Sequence, residues 1–171
     1  MTDSTARTPD KLASAQPAQD QTAQDQTASA PVPPASASQA SAPCPCGGYP
    51  KGATYSQCCE PALTLTTWPP TAQQLMRSRY TAHVKGDEDH LFRTWHPKTR
   101  PARIDVGDGA EWIGLRVEAV SAGGVQDEEG VVEYRAAYRE PDGSSGELHE
   151  VARFVRRARR WMYLGPAEVL G

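Results

Sequence analysis

The chain has 171 residues, of which 38% are hydrophobic and 23% are charged, and its formal net charge at pH 7 is -3. All twelve aromatic residues follow Pro43, so the folding unit has about 128 residues at most, enough for one ordinary hydrophobic core. This size excludes a large multidomain enzyme. The nearly neutral charge of the body excludes the global positive field of a non-specific nucleic-acid binder.

Residues 1–42 form a segment rich in Ala, Pro, Ser and Gln. Leu12 and Val32 are its branched aliphatic residues, so burial cannot offset the entropy cost of folding it. We predict a disordered low-complexity tail over 1–42, which is either a tether for a partner or a dispensable extension. Residues 1–16 lack the apolar run of a secretory signal, and no 18 consecutive apolar residues occur. We therefore expect a cytoplasmic protein with no membrane partner.

Four cysteines follow within sixteen residues, at Cys44, Cys46, Cys58 and Cys59. Structural disulfides are rare in a reducing compartment, and adjacent residues lie closer together than an ordinary disulfide spans. Four thiolates suit the tetrahedral coordination of zinc and leave no open position for hydrolytic chemistry. We predict a small motif over 43–62, folded around structural Zn2+. Free or redox-active thiols are the alternative.

Two helices are predicted after this motif. Thr71 and Gln74 form a capping box, and Gly86 is a natural stop for the first helix. The second helix is predicted to begin at Asp87, as its N-cap, and to end at Pro97. Their expected inner faces comprise Ala72, Leu75, Met76, Tyr80 and Val84, then Leu91, Phe92 and Trp95.

Alternating residues then predict four strands separated by Gly, Pro and Arg-rich turns. The first two strands are expected to turn inward Ile113, Leu115, Val117 and Ala119, then Val132, Tyr134, Ala136 and Tyr138. The third spans 147–156 and the fourth 161–164. Two helices followed by an antiparallel meander predict an α+β domain over 70–168, with the helices on one face of a curved sheet.

Several motifs resemble known families. Cys44-Pro-Cys46-Gly-Gly, followed by Tyr55-Ser-Gln-Cys58-Cys59, is similar to the SEC-C zinc motif, named from the C-terminus of the SecA translocation ATPase. Its spacer of eleven residues is longer than usual. Leu75-Met-Arg-Ser-Arg-Tyr80 and Arg160-Trp-Met-Tyr163 resemble the YchJ-like family of uncharacterised bacterial proteins. The resemblance runs from Cys44 to Gly165.

This resemblance implies a SEC-C motif followed by a domain like nuclear transport factor 2, a cone of helices against a curved sheet. It also implies a zinc-stabilised adaptor, in which the motif presents a small rigid surface to an unidentified protein partner. We expect a binding module without enzymatic activity.

A pocket inside such a cone is the basis of an alternative function, as a small-molecule carrier or enzyme. Arg79 needs a partner if it is buried, and Glu133 and Glu150 are candidates. A carboxylate beside an imidazole can act as a general acid or base if the cavity admits a substrate. The favoured interpretation is instead an internal ion pair that fixes the packing of the helix on the sheet. His96, before Pro97, is favoured as a helix-terminal cap. The candidate pocket residues are Arg79, His83, Trp95, His96, Trp112 and Glu133.

A basic patch is predicted in the last hairpin, at Arg156, Arg157, Arg159 and Arg160. Guanidinium groups at this density bind phosphate or an acidic partner. Interleaved RNA-binding aromatic residues and a phosphate-cradling glycine loop are both lacking, so a solvated hairpin tip is favoured over a weak nucleic-acid binder.

Overall fold

The structure is a computed structural model that describes residues 42–104, 106 and 109–167. The predicted tail over 1–42 lies outside the described residues, except for its last position. Helices α1, α2 and α3 span Glu60–Leu63, Ala72–Lys85 and Glu88–Thr94. Strands β1 to β4 span Glu111–Ala122, Glu129–Arg139, Ser145–Arg157 and Arg160–Pro166. Within the described ranges, no helix has both the length and the apolar character that a bilayer crossing requires.

Helix α2 has the caps that its sequence predicts. The Thr71 hydroxyl accepts a hydrogen bond from the Gln74 backbone amide at 3.2 Å. Gly86 ends the helix with φ at 68°, a left-handed conformation that glycine adopts without a steric penalty. The predicted inner face is buried from Ala72 to Tyr80, but Val84 is 39% exposed. In the last turn the buried face shifts to Ala82, which leaves Val84 towards solvent.

Helix α3 begins as predicted but buries a different face. The Asp87 carboxylate accepts from the His90 backbone amide at 2.8 Å, as an N-cap does. Leu91 is buried, whereas Phe92 is exposed and the inner face is completed by His90 and Thr94. The prediction for Phe92 is wrong because polar partners on α2 make burial of His90 and Thr94 possible.

The four strands form one antiparallel sheet in the order β1-β2-β3-β4. Strand β2 pairs with β3 in unbroken register from Glu129 opposite Val155 to Arg139 opposite Ser145. Its even-numbered residues face the helices, as the alternation predicts. Helices on one face of an antiparallel sheet confirm the predicted α+β fold class.

Strand β1 departs from simple alternation. Its register with β2 shifts between Trp112 and Gly114 and again between Val117 and Ala119. An extra residue at each irregularity reverses which side chains face inward. Trp112 therefore takes the inner position, and Ile113 is 45% exposed. The predicted inward positions of Ile113 and Ala119 are wrong for this reason.

Two clusters of buried residues make up the core. The first lies between α2 and the sheet, and it contains Ala72, Leu75, Met76, Val132, Ala152, Phe154, Trp161 and Tyr163. The second joins the cysteine segment to the same helix and sheet, through Cys44, Cys46, Tyr55, Cys59, Leu63, Tyr80 and Ala136. The motif and the cone are therefore packed together through a shared core.

Candidate metal centre and cone cavity

Backbone hydrogen bonds fold the cysteine segment into two turns that face each other. The first turn closes from the Gly47 amide to the Cys44 carbonyl at 2.9 Å. In the second, the Tyr55 carbonyl accepts from the amides of Cys58 and Cys59 at 3.2 and 3.1 Å. Helix α1 starts directly after Cys59. Each turn therefore supplies two cysteines to the same point.

Gly48 makes the connection between these turns possible. Its φ is 80°, and a Cβ placed on it would lie 2.5 Å from the Ala53 backbone nitrogen. A side chain there would collide with backbone that cannot move aside, so the loop requires glycine. The residues of the longer spacer, 50–52, are exposed and loop away from the cysteines.

The four sulfur atoms lie within 4.8 Å of one another. Cys46 Sγ is 3.5 Å from Cys44 Sγ, 3.5 Å from Cys58 Sγ and 3.6 Å from Cys59 Sγ. Disulfide sulfurs are about 2.05 Å apart, so these are separate thiols. Thiolates bound tetrahedrally to zinc at about 2.3 Å are about 3.8 Å apart. The sulfur positions therefore fit a zinc site with four cysteine ligands.

The crowding of these thiols opposes their simultaneous ionisation. Hydrogen bonds from the other three thiols lower the pKa of Cys44 far below its ordinary value. The hydrogen bonds to Cys44 raise the pKa of Cys58 and of Cys59 well above theirs. Four thiolates together need a cation at their centre, and a coordinated divalent metal deprotonates such thiols.

The cysteine motif is tied to α2 by polar contacts as well as by packing. Arg77 donates from Nη1 to the Cys46 carbonyl at 2.8 Å. The Thr81 hydroxyl lies 4.0 Å from Cys44 Sγ. Cys44, Cys46 and Cys59 are buried, whereas Cys58 is half-buried. The motif is therefore anchored to the domain through the cysteines themselves.

A cavity of about 350 Å³ opens between α2, the sheet and the segment before β1. Rings of Trp95, Trp112, Phe154 and Tyr163 wall it, and Arg103 and Ile104 lie on the same lining. The structure brings four of the six predicted pocket residues to this space: Arg79, His83, Trp95 and Trp112.

Glu133 and His96 do not line the cavity. On β2 the inner positions are Val132 and Tyr134, so Glu133 points to the outer face, where its Oε1 lies 2.7 Å from His149 Nε2. His96 accepts from the Lys98 amide at Nδ1, at 3.2 Å, in the turn that follows α3, so this contact does not cap the helix. The assignment of both residues to the pocket is therefore wrong.

Arg79 is 7% exposed and lies deep in the cone. Its Nη1 donates to the Leu91 carbonyl at 2.9 Å and to the Thr94 hydroxyl at 2.8 Å. The guanidinium carbon lies 4.3 Å from the centre of the Tyr163 ring and 5.1 Å from that of Trp95. Burial lowers the pKa of Arg79 to about 10, so it stays charged at neutral pH.

No carboxylate of the described residues lies within 4.0 Å of the Arg79 guanidinium nitrogens. The predicted ion pair of Arg79 with Glu133 or Glu150 is therefore not formed. Instead, Glu150 Oε1 accepts from the Tyr163 hydroxyl at 2.9 Å. The guanidinium thus lies over the face of Tyr163, and the carboxylate accepts from the hydroxyl of the same ring.

Sequence reasoning missed Tyr134, Tyr163 and Arg103 as cavity residues and placed Glu150 only as a partner for Arg79. Burial, followed by the nearby Glu150 charge, raises the pKa of both Tyr134 and Tyr163 above the ordinary tyrosine value. The inward alternation of Tyr134 was the available signal. Arg103 lies in an irregular segment, where periodicity gives no indication.

The predicted basic patch is divided between two environments. Arg156 donates from Nη1 to the Val125 carbonyl at 2.7 Å, and its guanidinium lies 5.6 Å from the centre of the Trp161 ring. Arg160 stacks over Trp68 at 4.9 Å. Arg157 and Arg159 are exposed at the hairpin.

Comparison with known proteins identifies the family. The family model described as the YchJ, middle NTF2-like domain matches residues 71–166. A UPF0225 protein of Streptomyces coelicolor is 45% identical over 121 residues, covering 71% of this chain and 91% of the relative. A UPF0225 protein of Deinococcus radiodurans is 43% identical over 126 residues, covering 74% of this chain and 89% of that relative.

Two solved structures share the architecture. A SEC-C motif containing protein from Rhodopseudomonas palustris aligns with a TM-score of 0.65 and 30% identity, covering 75% of this chain and 99% of that one. A sec-c motif containing protein from Psychrobacter arcticus aligns with a TM-score of 0.62 and 24% identity, covering 78% and 86%, which shows the shared fold. The chain belongs to the YchJ-like family, with an NTF2-like domain preceded by a cysteine cluster of the SEC-C type.

Proposed function

We propose that this protein is a zinc-stabilised small-molecule binding protein whose ligand occupies the cone cavity. The observation that carries the proposal is the cavity of about 350 Å³, walled by aromatic rings and containing the buried charge of Arg79. Small-molecule sites are typically apolar cavities of about 300–1,000 Å³ with a few polar groups that orient the ligand. The function is therefore binding, and no reaction is assigned to the cavity.

The indole groups of the protein provide a direct test. Trp95 and Trp112 line the cavity, whereas the Trp68 and Trp161 nitrogens donate to the backbone of Trp161 and Pro70. In 15N–1H spectra recorded with a library of small aromatic fragments, a cavity ligand should shift the Trp95 and Trp112 indole signals selectively. The signals of Trp68 and Trp161 are the internal controls. If no fragment shifts the cavity pair, the proposed function is wrong.

We propose that the four cysteines hold one structural zinc ion. The fit of the sulfur spacing to tetrahedral coordination supports this, as does the chemistry of four thiolates, which prefer zinc. With Cys44, Cys46, Cys58 and Cys59 all used, no position would remain for a substrate. Four free thiols in contact also suit a reducing compartment, and we propose a cytoplasmic location on that basis.

Elemental analysis of the untagged protein should find one zinc per chain. Thiol titration should proceed slowly in the native protein and should detect four reactive thiols after chelation, because metal release frees every cysteine. Native mass spectrometry that finds only the apo mass, with four thiols reactive from the start, would contradict the zinc assignment.

An adaptor role for the motif is the second candidate, because the loop 47–52 extends beyond the buried cysteines. Tyr49 is 42% exposed at its tip and lies over the Arg77 guanidinium, 5.4 Å from the ring centre. Substitution of the cysteines would disturb the shared core, so surface variants make the sharper test. Tyr49→Ala with Lys51→Glu should abolish capture of a partner, and Lys98→Glu, also exposed, should not. Equal capture by all three proteins would exclude the adaptor role.

A further inference from the structure

We propose that the cavity selects a small aryl carboxylate that carries a hydrogen-bond donor at the far end of its ring. This inference rests on the proposed function and names the ligand class of the same cavity. In it Arg79 binds the carboxylate, Glu150 accepts from the donor group, and the aromatic walls contain the ring.

The charge of the lining favours an anion. Arg79 and Arg103 contribute two guanidinium groups, against the single carboxylate of Glu150 among the described lining residues. The hydrogen-bonding partners of Arg79 are neutral, and the nearest rings offer only their faces. A buried charge is stable when an opposite charge and hydrogen bonds accompany it. A ligand carboxylate would supply that opposite charge, and guanidinium binds carboxylate strongly because the geometry is bidentate.

The distance between the charged groups sets the size of the ligand. The Tyr163 ring lies 4.3 Å from the Arg79 guanidinium, and the hydroxyl at its far end is 2.9 Å from Glu150 Oε1. The guanidinium therefore lies over the face of this ring and the carboxylate lies at its hydroxyl, so the two charged groups are close to a single phenol ring. A ligand that lies beside Tyr163 can reach both groups with one ring that carries its carboxylate and its donor at opposite ends.

The walls favour a flat ligand over a bulky one. Trp95 meets Tyr163 edge to face with ring centres 4.9 Å apart, and Trp112 lies 6.2 Å from Tyr80 in the same arrangement. Aromatic rings prefer such edge-to-face or offset neighbours, so the planar ring of a ligand can pack against these walls in the same way. At about 350 Å³ the cavity is near the lower limit for small-molecule sites, which also favours a single ring.

Glu150 provides the acceptor that distinguishes a substituted ring from a plain one. An ionised carboxylate has about four acceptor positions, and Tyr163 uses one of them. A hydroxyl or amino group on the ligand can therefore donate to Glu150 without displacing Tyr163. A ligand without this donor would leave the half-buried carboxylate with fewer hydrogen bonds, which weakens binding.

Calorimetric titration with 4-hydroxybenzoate as the probe tests the inference. Three analogues each lack one feature of this probe. The compound 4-hydroxybenzamide lacks the negative charge, benzoate lacks the hydrogen-bond donor, and trans-4-hydroxycyclohexanecarboxylate lacks the planar ring. We expect each to bind at least about tenfold more weakly, in line with the loss of a charge-assisted or neutral contact in a buried site. Glu150→Gln should reduce the preference for 4-hydroxybenzoate over benzoate, whereas Arg153→Ala, exposed on the outer face, should not change it.

The analogue series tests the role of the Arg79 charge without a substitution at that buried position, and Arg103→Ala removes the second positive charge of the lining at an exposed position. If 4-hydroxybenzamide binds as tightly as 4-hydroxybenzoate, the ligand class is wrong while cavity binding stands. If no aryl carboxylate binds but another fragment shifts the Trp95 and Trp112 signals, the ligand class is again wrong and the proposed function survives. Absence of any cavity ligand overturns both.

Discussion

His90 shows how a titratable residue can be buried for structural reasons alone. It is 1% exposed between α2 and α3, where its Nε2 lies 2.9 Å from the Ser78 hydroxyl. Its Nδ1 is sealed from solvent and has no hydrogen-bond partner among the described residues. Burial, with smaller effects from the Arg93 and Arg79 charges, lowers the pKa of His90 to about 3. The ring is therefore neutral in the folded protein, and it lies outside the lining of the cone cavity.

Stability should consequently fall as the pH is lowered below about 6.5. There the unfolded chain protonates His90, whereas the folded protein does not do so until about pH 3. Between pH 7 and pH 5 this residue should remove about 2 kcal/mol from the free energy of unfolding, at 1.36 kcal/mol per pKa unit. Urea titrations of wild type and His90→Gln at both pH values measure the difference. Loss of a metal ion from the cysteine cluster would affect both proteins alike, so it would cancel in this comparison.

The explanation fails if His90→Gln loses as much stability as wild type between pH 7 and pH 5.

At the scale of the elements, the hairpin between β3 and β4 combines backbone strain with exposed positive charge. Its two turn residues, Ala158 and Arg159, have φ values of 50° and 66°. Both are in the left-handed region, as the mirror-image turn of a two-residue hairpin requires, yet neither is glycine or asparagine. A left-handed conformation costs an ordinary residue roughly 1–2 kcal/mol. The tight pairing of the strands maintains this turn against its own preference.

Replacement of the turn by the preferred pair should therefore stabilise the protein. We expect Ala158→Asn with Arg159→Gly to raise the free energy of unfolding by about 1 kcal/mol, because both residues then suit the turn. Denaturant titration measures the change. Arg159→Ala is the control, since it removes the same positive charge but keeps the strained conformation. An equal gain from Arg159→Ala would show that charge, and not backbone strain, limits the hairpin.

At the scale of the whole molecule, features that depend on neighbouring residues could be predicted from the sequence. Features that depend on the pairing and packing of distant segments could not. The caps of α2 and α3 depend on residues within one turn, so Thr71, Gly86 and Asp87 were identified correctly. The same holds for the closeness of the four cysteines, since they are separated by a short glycine-containing loop. Such features need no knowledge of distant partners.

The errors share a different physical origin. The irregularities in β1 that turn Ile113 outward arise from its pairing with β2. The burial of His90 in place of Phe92 depends on a hydroxyl twelve residues away. Glu133 and Glu150 could not be told apart as cavity residues until the inner face of each strand was known. The cavity itself results from the helices and the sheet together, so no single segment indicates it.

Tyr80 belongs to both halves of the molecule, because it packs in the cysteine cluster and also lines the cavity. A displacement of this ring upon metal release would therefore alter the space available to a ligand. Thermodynamic linkage then makes the effect mutual: the factor by which an apo motif weakens ligand affinity equals the factor by which an empty cone weakens metal affinity. Metal binding by the cysteines and ligand binding in the cone would in this way be coupled through a single aromatic side chain.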